Sequence, residues 1–266
     1  MIANFHTHTT FCDGKNTPEE VVLSAIEKGF TAIGFSGHGY TDFDSSYCIK
    51  DTCGYKKEID WLKEKYKKDI QIYCGVEEDA FCPVDRSGFD YIIGSSHYLL
   101  VDGAYYPIDS GYEAFQKCLS VMDNDVMRFA EMYYSSFCRY IQSRKPDIIG
   151  HFDLITKYDE LDTSLFLCNP EYNKIAEKYI TEASKSGSIF EVNTGAIARA
   201  LRTSPYPSEN LLYILRKVDA NIILSSDSHQ KDTLDFGFTE AKKYLKEIGF
   251  TQLCTIDNGE FVKYSI

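Results

Sequence analysis

Seven short apolar or β-branched runs recur along the chain, separated by longer segments of helical pattern. They are Ile2–Phe5, Ala32–Phe35, Ile70–Cys74, Tyr91–Ile93, Ile148–Ile149, Ser188–Val192 and Asn221–Leu224. Such runs are too continuously apolar for strands wet on one face, and they suit parallel strands covered on both sides. The first helical segment runs from Thr17 to Gly29. Its Thr17-Pro18-Glu19-Glu20 opening supplies an N-cap, a proline at the first helical position and a glutamate at N3. Tyr55–Lys68, Tyr112–Ser143, Glu171–Ser186, Ser208–Val218 and Thr233–Ile248 also read as helical, with Asn124-Asp125 dividing the longest of them. Leu253–Ile256 and Phe261–Tyr264 read as a hairpin around an Asp257-Asn258-Gly259 turn. Seven strands alternating with helices leave two architectures, an α/β barrel or a doubly wound sheet. With 266 residues, near the ~250 of one barrel, and no linker, repeat or low-complexity stretch, a single domain over 1–266 is expected.

The histidines follow that same punctuation. His6 and His8 close the first run, His38 follows the second, His97 the fourth, His151 the fifth and His229 the seventh. In parallel α/β folds the carboxyl ends of the strands share one face, where ligands bind. A single histidine at a strand end is usually a hydrogen-bonding loop residue. Six of them meeting on one face without a metal or an anion would repel once protonated, and imidazole is the commonest metal ligand. Carboxylates stand at matching places. Glu77 in YCGVEED lies nearest the end of the third run, with Glu78 and Asp79 read as solvated loop charges beside it. Asp227 precedes His229 by two, and Asp13 in FCDG is either a turn residue or a ligand folded back over the site. Imidazoles and carboxylates without thiolates suit zinc, iron or manganese and fit magnesium poorly. Nine such ligands are too many for one ion and enough for two or three.

Composition narrows the function classes. The net charge of −12 opposes binding of long nucleic acids, which need Lys and Arg against phosphates, but not of one small phosphate ester. The nine cysteines are scattered without a C-x-x-C pair and read as reduced thiols; a zinc site on Cys48 and Cys53 would need two further ligands. No apolar stretch is long enough to span a membrane, and MIANFHTHTT lacks the pattern of a secretory signal, so the cytoplasm is expected. Nothing in the sequence speaks to the oligomeric state.

Taken together, HTH at 6–8, DG at 13–14, SGH at 36–38, GVE at 75–77, SSH at 95–97, GH at 150–151 and DSH at 227–229 resemble the PHP (polymerase and histidinol phosphatase) superfamily. The resemblance implies a distorted (β/α)7 barrel with a trinuclear metal centre. In that centre His6, His8, Glu77 and Asp227 would hold one ion. Glu77 would bridge to a second ion held by His97 and His151, while Asp13, His38 and His229 would hold a third. Within the superfamily the chain is similar to the monofunctional histidinol-phosphate phosphatases of histidine biosynthesis. The segments carrying this are FCDGKNTPEEVV, GFTAIGFSGH, the hairpin-like SSHYLLVDGAYYPID and FEVNTGAIARALRTSPYPS. In such enzymes an arginine after the N-T-G segment would clamp the substrate phosphate, which makes Arg199 the match and Arg202 the reserve. Two departures are Gly14, where some of these phosphatases carry a histidine, and Asn4, ahead of the first histidine, where aspartate is frequent.

The implied reaction is hydrolysis of a phosphate monoester, most directly L-histidinol phosphate. The attacking group would be a water activated between the Glu77-linked ions, with His97 and Asp227 completing the catalytic set and Arg199 on the nonbridging oxygens. Tyrosines near 98, 105 and 106 are candidates for a pocket that takes an imidazole. Three rivals remain: a relative acting on nucleotides, short oligonucleotides or another sugar phosphate; a noncatalytic metal-binding module; and an amidohydrolase, against which stands the want of a strand-end lysine.

Overall fold

The computed structural model describes residues 1–161 and 165–266. Its elements in chain order begin with β1 (Ala3–Asn4), α1 (Pro18–Glu27), β2 (Ala32–Phe35), α2 (Thr52–Tyr66), β3 (Gln71–Asp79) and β4 (Tyr91–Ser95). A hairpin of β5 (Tyr98–Val101) and β6 (Ala104–Pro107) follows, then α3 (Tyr112–Ser120), α4 (Val126–Arg144) and β7 (Ile148–Ile149). The second half holds α5 (Pro170–Ala183), β8 (Ile189–Asn193), α6 (Gly195–Ala198), α7 (Glu209–Lys217), β9 (Ile222–Ser225), α8 (Phe238–Ile248), β10 (Gln252–Asp257) and β11 (Glu260–Ser265).

The strand order β1-β2-β3-β4-β7-β8-β9 is parallel throughout. The ring closes beyond the strand ends, where Thr7 bridges Ser228 in parallel, with His8 N–H donating to the Ser228 carbonyl at 2.8 Å and Ser228 N–H to that of His6 at 3.2 Å. Seven parallel strands closed in this way form the distorted barrel rather than the doubly wound sheet. At the opposite end the ring is not sealed, because β10 pairs with β9 and carries β11 antiparallel to itself. The two-residue loop of that hairpin is Asn258-Gly259, both at positive φ (50° and 82°), as a twisted hairpin turn requires.

Local sequence explains the element ends. α1 starts with the expected capping box: the Thr17 hydroxyl accepts from Glu20 N–H and the Glu20 carboxylate accepts from Thr17 N–H at 2.9 Å. Two extents differ from expectation. β3 does not stop at Cys74 but runs through Asp79, because it pairs with β4 over Gly75–Asp79 after leaving β2 at Cys74. The segment expected as one helix from Thr233 begins at Phe238, since Gly237 takes a left-handed conformation (φ 72°) that interrupts it.

Three apolar layers follow from the strand alternation. Inside the barrel, Phe5, Ala32, Tyr73, Tyr91, Ile93, Ile148, Ile189 and Ile223 pack together, drawn from every strand of the ring. Outside, α1 and α2 cover β2 and β3, while α3–α5, α7 and α8 cover the far side. The key of the inner layer is Tyr91. Its hydroxyl donates to the carbonyls of Phe5 (2.5 Å) and Phe35 (3.1 Å), tying three strands, and its ring lies where any Cβ on Gly75 would stand 2.4 Å away. Tyr91→Phe is therefore expected to lower the unfolding free energy by about 1–3 kcal/mol, the cost of leaving buried carbonyls short of a donor, as read by denaturant titration.

Candidate metal centre

Side chains two apart on a strand share a face, and this rule carries the barrel interior upward into the site. On β3 the inward series is Tyr73, Gly75, Glu77, Asp79; on β4 it is Ile93, Ser95 and then His97; on β9 it is Ile223, Ser225, Asp227 and His229. Each series begins apolar and carries a candidate ligand at its upper end, Glu77 on β3, His97 after β4, and Asp227 and His229 after β9. His6 and His8 leave β1 with ring centroids 5.2 Å apart, His38 follows β2 and His151 follows β7. All nine expected ligands are thereby brought to one end of the barrel.

Glu77 is the centre of the cluster. It is 2% exposed, and its oxygens lie 2.8 Å from His38 Nδ1, 3.1 Å from His151 Nε2, 3.3 Å from His6 Nε2 and His97 Nε2, and 3.7 Å from His8 Nε2. Asp227 reaches His8 Nε2 at 3.2 Å and His6 Nε2 at 3.7 Å. Asp13, from the turn after β1, lies 3.3 Å from His229 Nε2 and 3.6 Å from His38 Nε2. Asp227 holds φ 48°, a left-handed conformation uncommon for a non-glycine residue, with its carboxylate toward the histidines.

Electrostatics follow from this crowding. Burial alone would raise the Glu77 carboxyl, but His6, His97 and His38 hold it well below the usual carboxylate range. Burial also works against the charge on Asp227, which Arg199 and His6 nevertheless keep well below its ordinary value. His8 goes the other way: burial, with His229 and His38 beside it, lowers it to about 3, so it stays neutral with a lone pair to offer.

Among the described residues, four overlapping groups have ligand atoms close enough for one ion: His8, Asp13, His38 and His229; His6, Glu77 and His151; His6, His8 and Asp227; and His38, Glu77 and His97. The partition differs from the expected one in placing His8 with Asp13, in joining His38 to Glu77, and in separating His97 from His151, which falls with His6. Sharing of Glu77 between groups fits its expected bridging place. The residues suit divalent cations on a further ground. His6 Nε2, His8 Nε2 and Glu77 Oε2 are buried without a hydrogen-bond partner, although buried polar atoms are nearly always satisfied. The cysteines stay outside these groups; Cys12 approaches His8 Nδ1 at 3.6 Å but is in none of them, and Cys48 and Cys53 are free.

A cavity of about 370 Å³ opens over the cluster, lined by Asp13, His38, His97, His151, Asp227 and His229 on one side and by Asp44, Tyr47, Tyr98, Asp109, Lys157 and Arg199 among others. Arg199 donates to the Asp227 carboxylate at 3.0 Å and to its carbonyl at 3.1 Å. Arg202 is not on this wall. It is 3% exposed behind it, donating to Thr156, Ser204 and Ser208 with its guanidinium over the Tyr206 ring. Of the tyrosines expected near the pocket, Tyr98 lines it, whereas Tyr105 stacks on Phe43 at 4.0 Å outside it.

Two of the sequence readings need correction. Glu78 and Asp79 are not solvated loop charges, because β3 continues through them and buries both. Burial would raise Glu78, yet Arg86, Arg144 and Tyr140 bring it down to about 2. The sequence reading also passed over Glu191, 1% exposed on β8, which accepts from His6 Nδ1 at 2.5 Å. A glutamate inside an otherwise apolar strand was the available signal, since a charge there must have partners.

Comparison with known proteins agrees with this geometry. The model of the PHP domain family matches residues 4–195. The chain is 28% identical to a Schizosaccharomyces pombe protein named "Probable histidinol-phosphatase", over 97% of this chain and 90% of the relative. It is 24% identical to the histidinol-phosphatase of Bacillus subtilis, over 88% and 95%. Its fold matches the histidinol phosphate phosphatase of Lactococcus lactis, solved with zinc, L-histidinol and phosphate, with a TM-score of 0.72 over 98% of both chains at 20% identity. No helix among the described residues is long and apolar enough to cross a membrane.

The turn carrying Asp13 gives a test of the outer group. A Cβ on Gly14 would lie 2.4 Å from the backbone of His8 and Thr9, which cannot yield as a side chain can. Gly14→Ala is expected to displace Asp13 and leave at least one ion fewer per chain than wild type, measured by elemental analysis after dialysis against Zn²⁺ or Mn²⁺. Unchanged metal content would remove Asp13 from the ligand set.

Proposed function

The chain belongs to the PHP domain family, and from that premise we propose that it hydrolyses a small phosphate monoester, L-histidinol phosphate, to the alcohol and phosphate in histidine biosynthesis. The observation that carries this reading is the buried Glu77, shared between ion groups that open directly onto a cavity with an arginine on its wall. The relatives named histidinol-phosphatase supply the substrate. Bound divalent ions, in the set zinc, iron or manganese, would supply a nucleophile from water at neutral pH and neutralise phosphoryl oxygens.

The chain's own residues do the rest. Arg199 lines the cavity with a guanidinium of the kind suited to the nonbridging oxygens of a phosphate, while the bonds of its two terminal nitrogens to Asp227 fix its distance from the ligands. Glu77 and Asp227 stay ionised, so no proton must leave them before an ion binds. His97 and His151 line the cavity beside Glu77. Tyr47 and Tyr98 form a flat wall for the aromatic end of the substrate, and Asp44 and Asp109 offer carboxylates to its ammonium group. Arg202, bonded into the structure behind the wall, has no part in this reading.

Glu77→Gln or His97→Ala is expected to abolish hydrolysis while leaving the circular dichroism spectrum unchanged; full turnover by either variant would refute the assignment. For the metal-loaded protein, kcat/KM should be highest for histidinol phosphate among a panel of nucleoside monophosphates and sugar phosphates. A preferred nucleotide would move the substrate within the family, and inactivity on every ester would favour a noncatalytic metal-binding role. Arg199→Ala should lower kcat/KM for histidinol phosphate by roughly 10- to 100-fold, corresponding to the ~1.5–3 kcal/mol of a charge-assisted hydrogen bond. An unchanged value would assign the phosphate to another group.

A further inference from the structure

Glu191 belongs to none of the four ion groups, yet it touches two of their histidines. Its carboxylate accepts from His6 Nδ1 at 2.5 Å, from the His151 peptide N–H at 2.8 Å, from Asn193 Nδ2 at 3.0 Å and from the Ser225 hydroxyl. An ionised carboxylate can only accept. The proton of a neutral His6 therefore sits on Nδ1, and the lone pair stays on Nε2, the unpartnered atom aimed at Glu77 and Asp227. Asp79 repeats the arrangement on the other flank. Its Oδ2 accepts from His97 N–H at 3.0 Å and lies 3.3 Å from His97 Nδ1, so that His97 Nε2 faces Glu77.

We propose that Glu191 is a positioning residue that sets two metal-binding histidines at once, His6 through its ring and His151 through its main chain, and so fixes the affinity of the ions that Glu77 shares. The proposal rests on the metal reading given above. A purely structural part fits Glu191 poorly. A fully buried charge is costly, the side-chain partners that bond it are two neutral groups and one histidine, and a strand residue needed only for packing would be apolar. A charge held behind a ligating imidazole is the arrangement that orients the ring and raises its basicity toward a metal.

The test is metal binding, read without any substrate. Purified metal-free wild type, Glu191→Gln, Glu191→Asp and Ser225→Ala are titrated with Zn²⁺ and Mn²⁺ against a chromogenic chelator, with the thermal midpoint of each metal-free protein recorded. Glu191→Gln is expected to bind about 10- to 100-fold more weakly, the usual cost of losing such a partner, with the metal-free midpoint close to wild type. Glu191→Asp, which keeps the charge but withdraws it by one methylene, should lie between the two and decides the matter if the glutamine variant does not fold. Ser225→Ala, which removes a donor to Glu191 that touches no histidine, should bind as wild type does. Wild-type affinity in both Glu191 variants overturns the inference, as does an equal loss in Ser225→Ala, which would signal general loosening. Wild-type protein that takes up neither ion overturns the metal reading with it, whereas failure of histidinol phosphate as a substrate leaves this comparison standing.

Discussion

A carboxylate buried at the mouth of the barrel organises the site. Glu77 sits at 2% exposure within 4 Å of five histidines, and its ion pairs among the described residues are all with imidazoles. Taking a charge out of water is expensive, and here the cost is offset by the imidazoles of His6, His97 and His38 beside it. The site is thus built to gain from cations placed among these side chains, where carboxylate and imidazole ligands would both be satisfied. The unpartnered nitrogens of His6 and His8 and the unpartnered oxygen of Glu77 mark the same deficit atom by atom.

The barrel delivers this arrangement because its closure and its site use the same few residues. The ring is joined at its upper end by two main-chain bonds, from His8 N–H to the Ser228 carbonyl and from Ser228 N–H to the His6 carbonyl, so the two ligands leaving β1 are locked in register against Asp227 and His229. Behind the cluster, polar side chains hold the strands that bear the ligands. Glu78, one residue from Glu77 and on the opposite face of β3, is clamped by Arg86, Arg144 and Tyr140 from outside the barrel. Asn4 ties β1 to Ser226 and to the Leu234 carbonyl through its side-chain amide. An amide serves here because it must donate to two oxygens as well as accept.

Charge is distributed to match. The chain carries a net −12, yet the cavity wall presents Arg199 and Lys157, the latter held to Asp109 at 3.3 Å. Each of these cations is paired with a carboxylate on the same wall, Lys157 with Asp109 and Arg199 with Asp227 at 3.0 Å. The wall thus carries charges of both signs within one small cavity.

How much of this could be read without coordinates differs between fold and site. The strand–helix alternation, the capping box of α1, the Asn258-Gly259 turn and the nine candidate ligands were legible because each depends on local rules of period, capping and strand ends. Sequence order also placed Glu77 above its neighbours, although the burial of Glu78 and Asp79 was not visible, since it depends on β3 changing partners from β2 to β4. Which ligands share an ion, that Arg199 faces the cavity while Arg202 turns behind its wall, and that Glu191 stands behind His6 were decided only in three dimensions. Local rules say where a side chain leaves the backbone. Barrel closure alone says what it meets, because such partners lie far apart along the chain, His6 and Glu191 by 185 residues and Asn4 and Ser226 by 222.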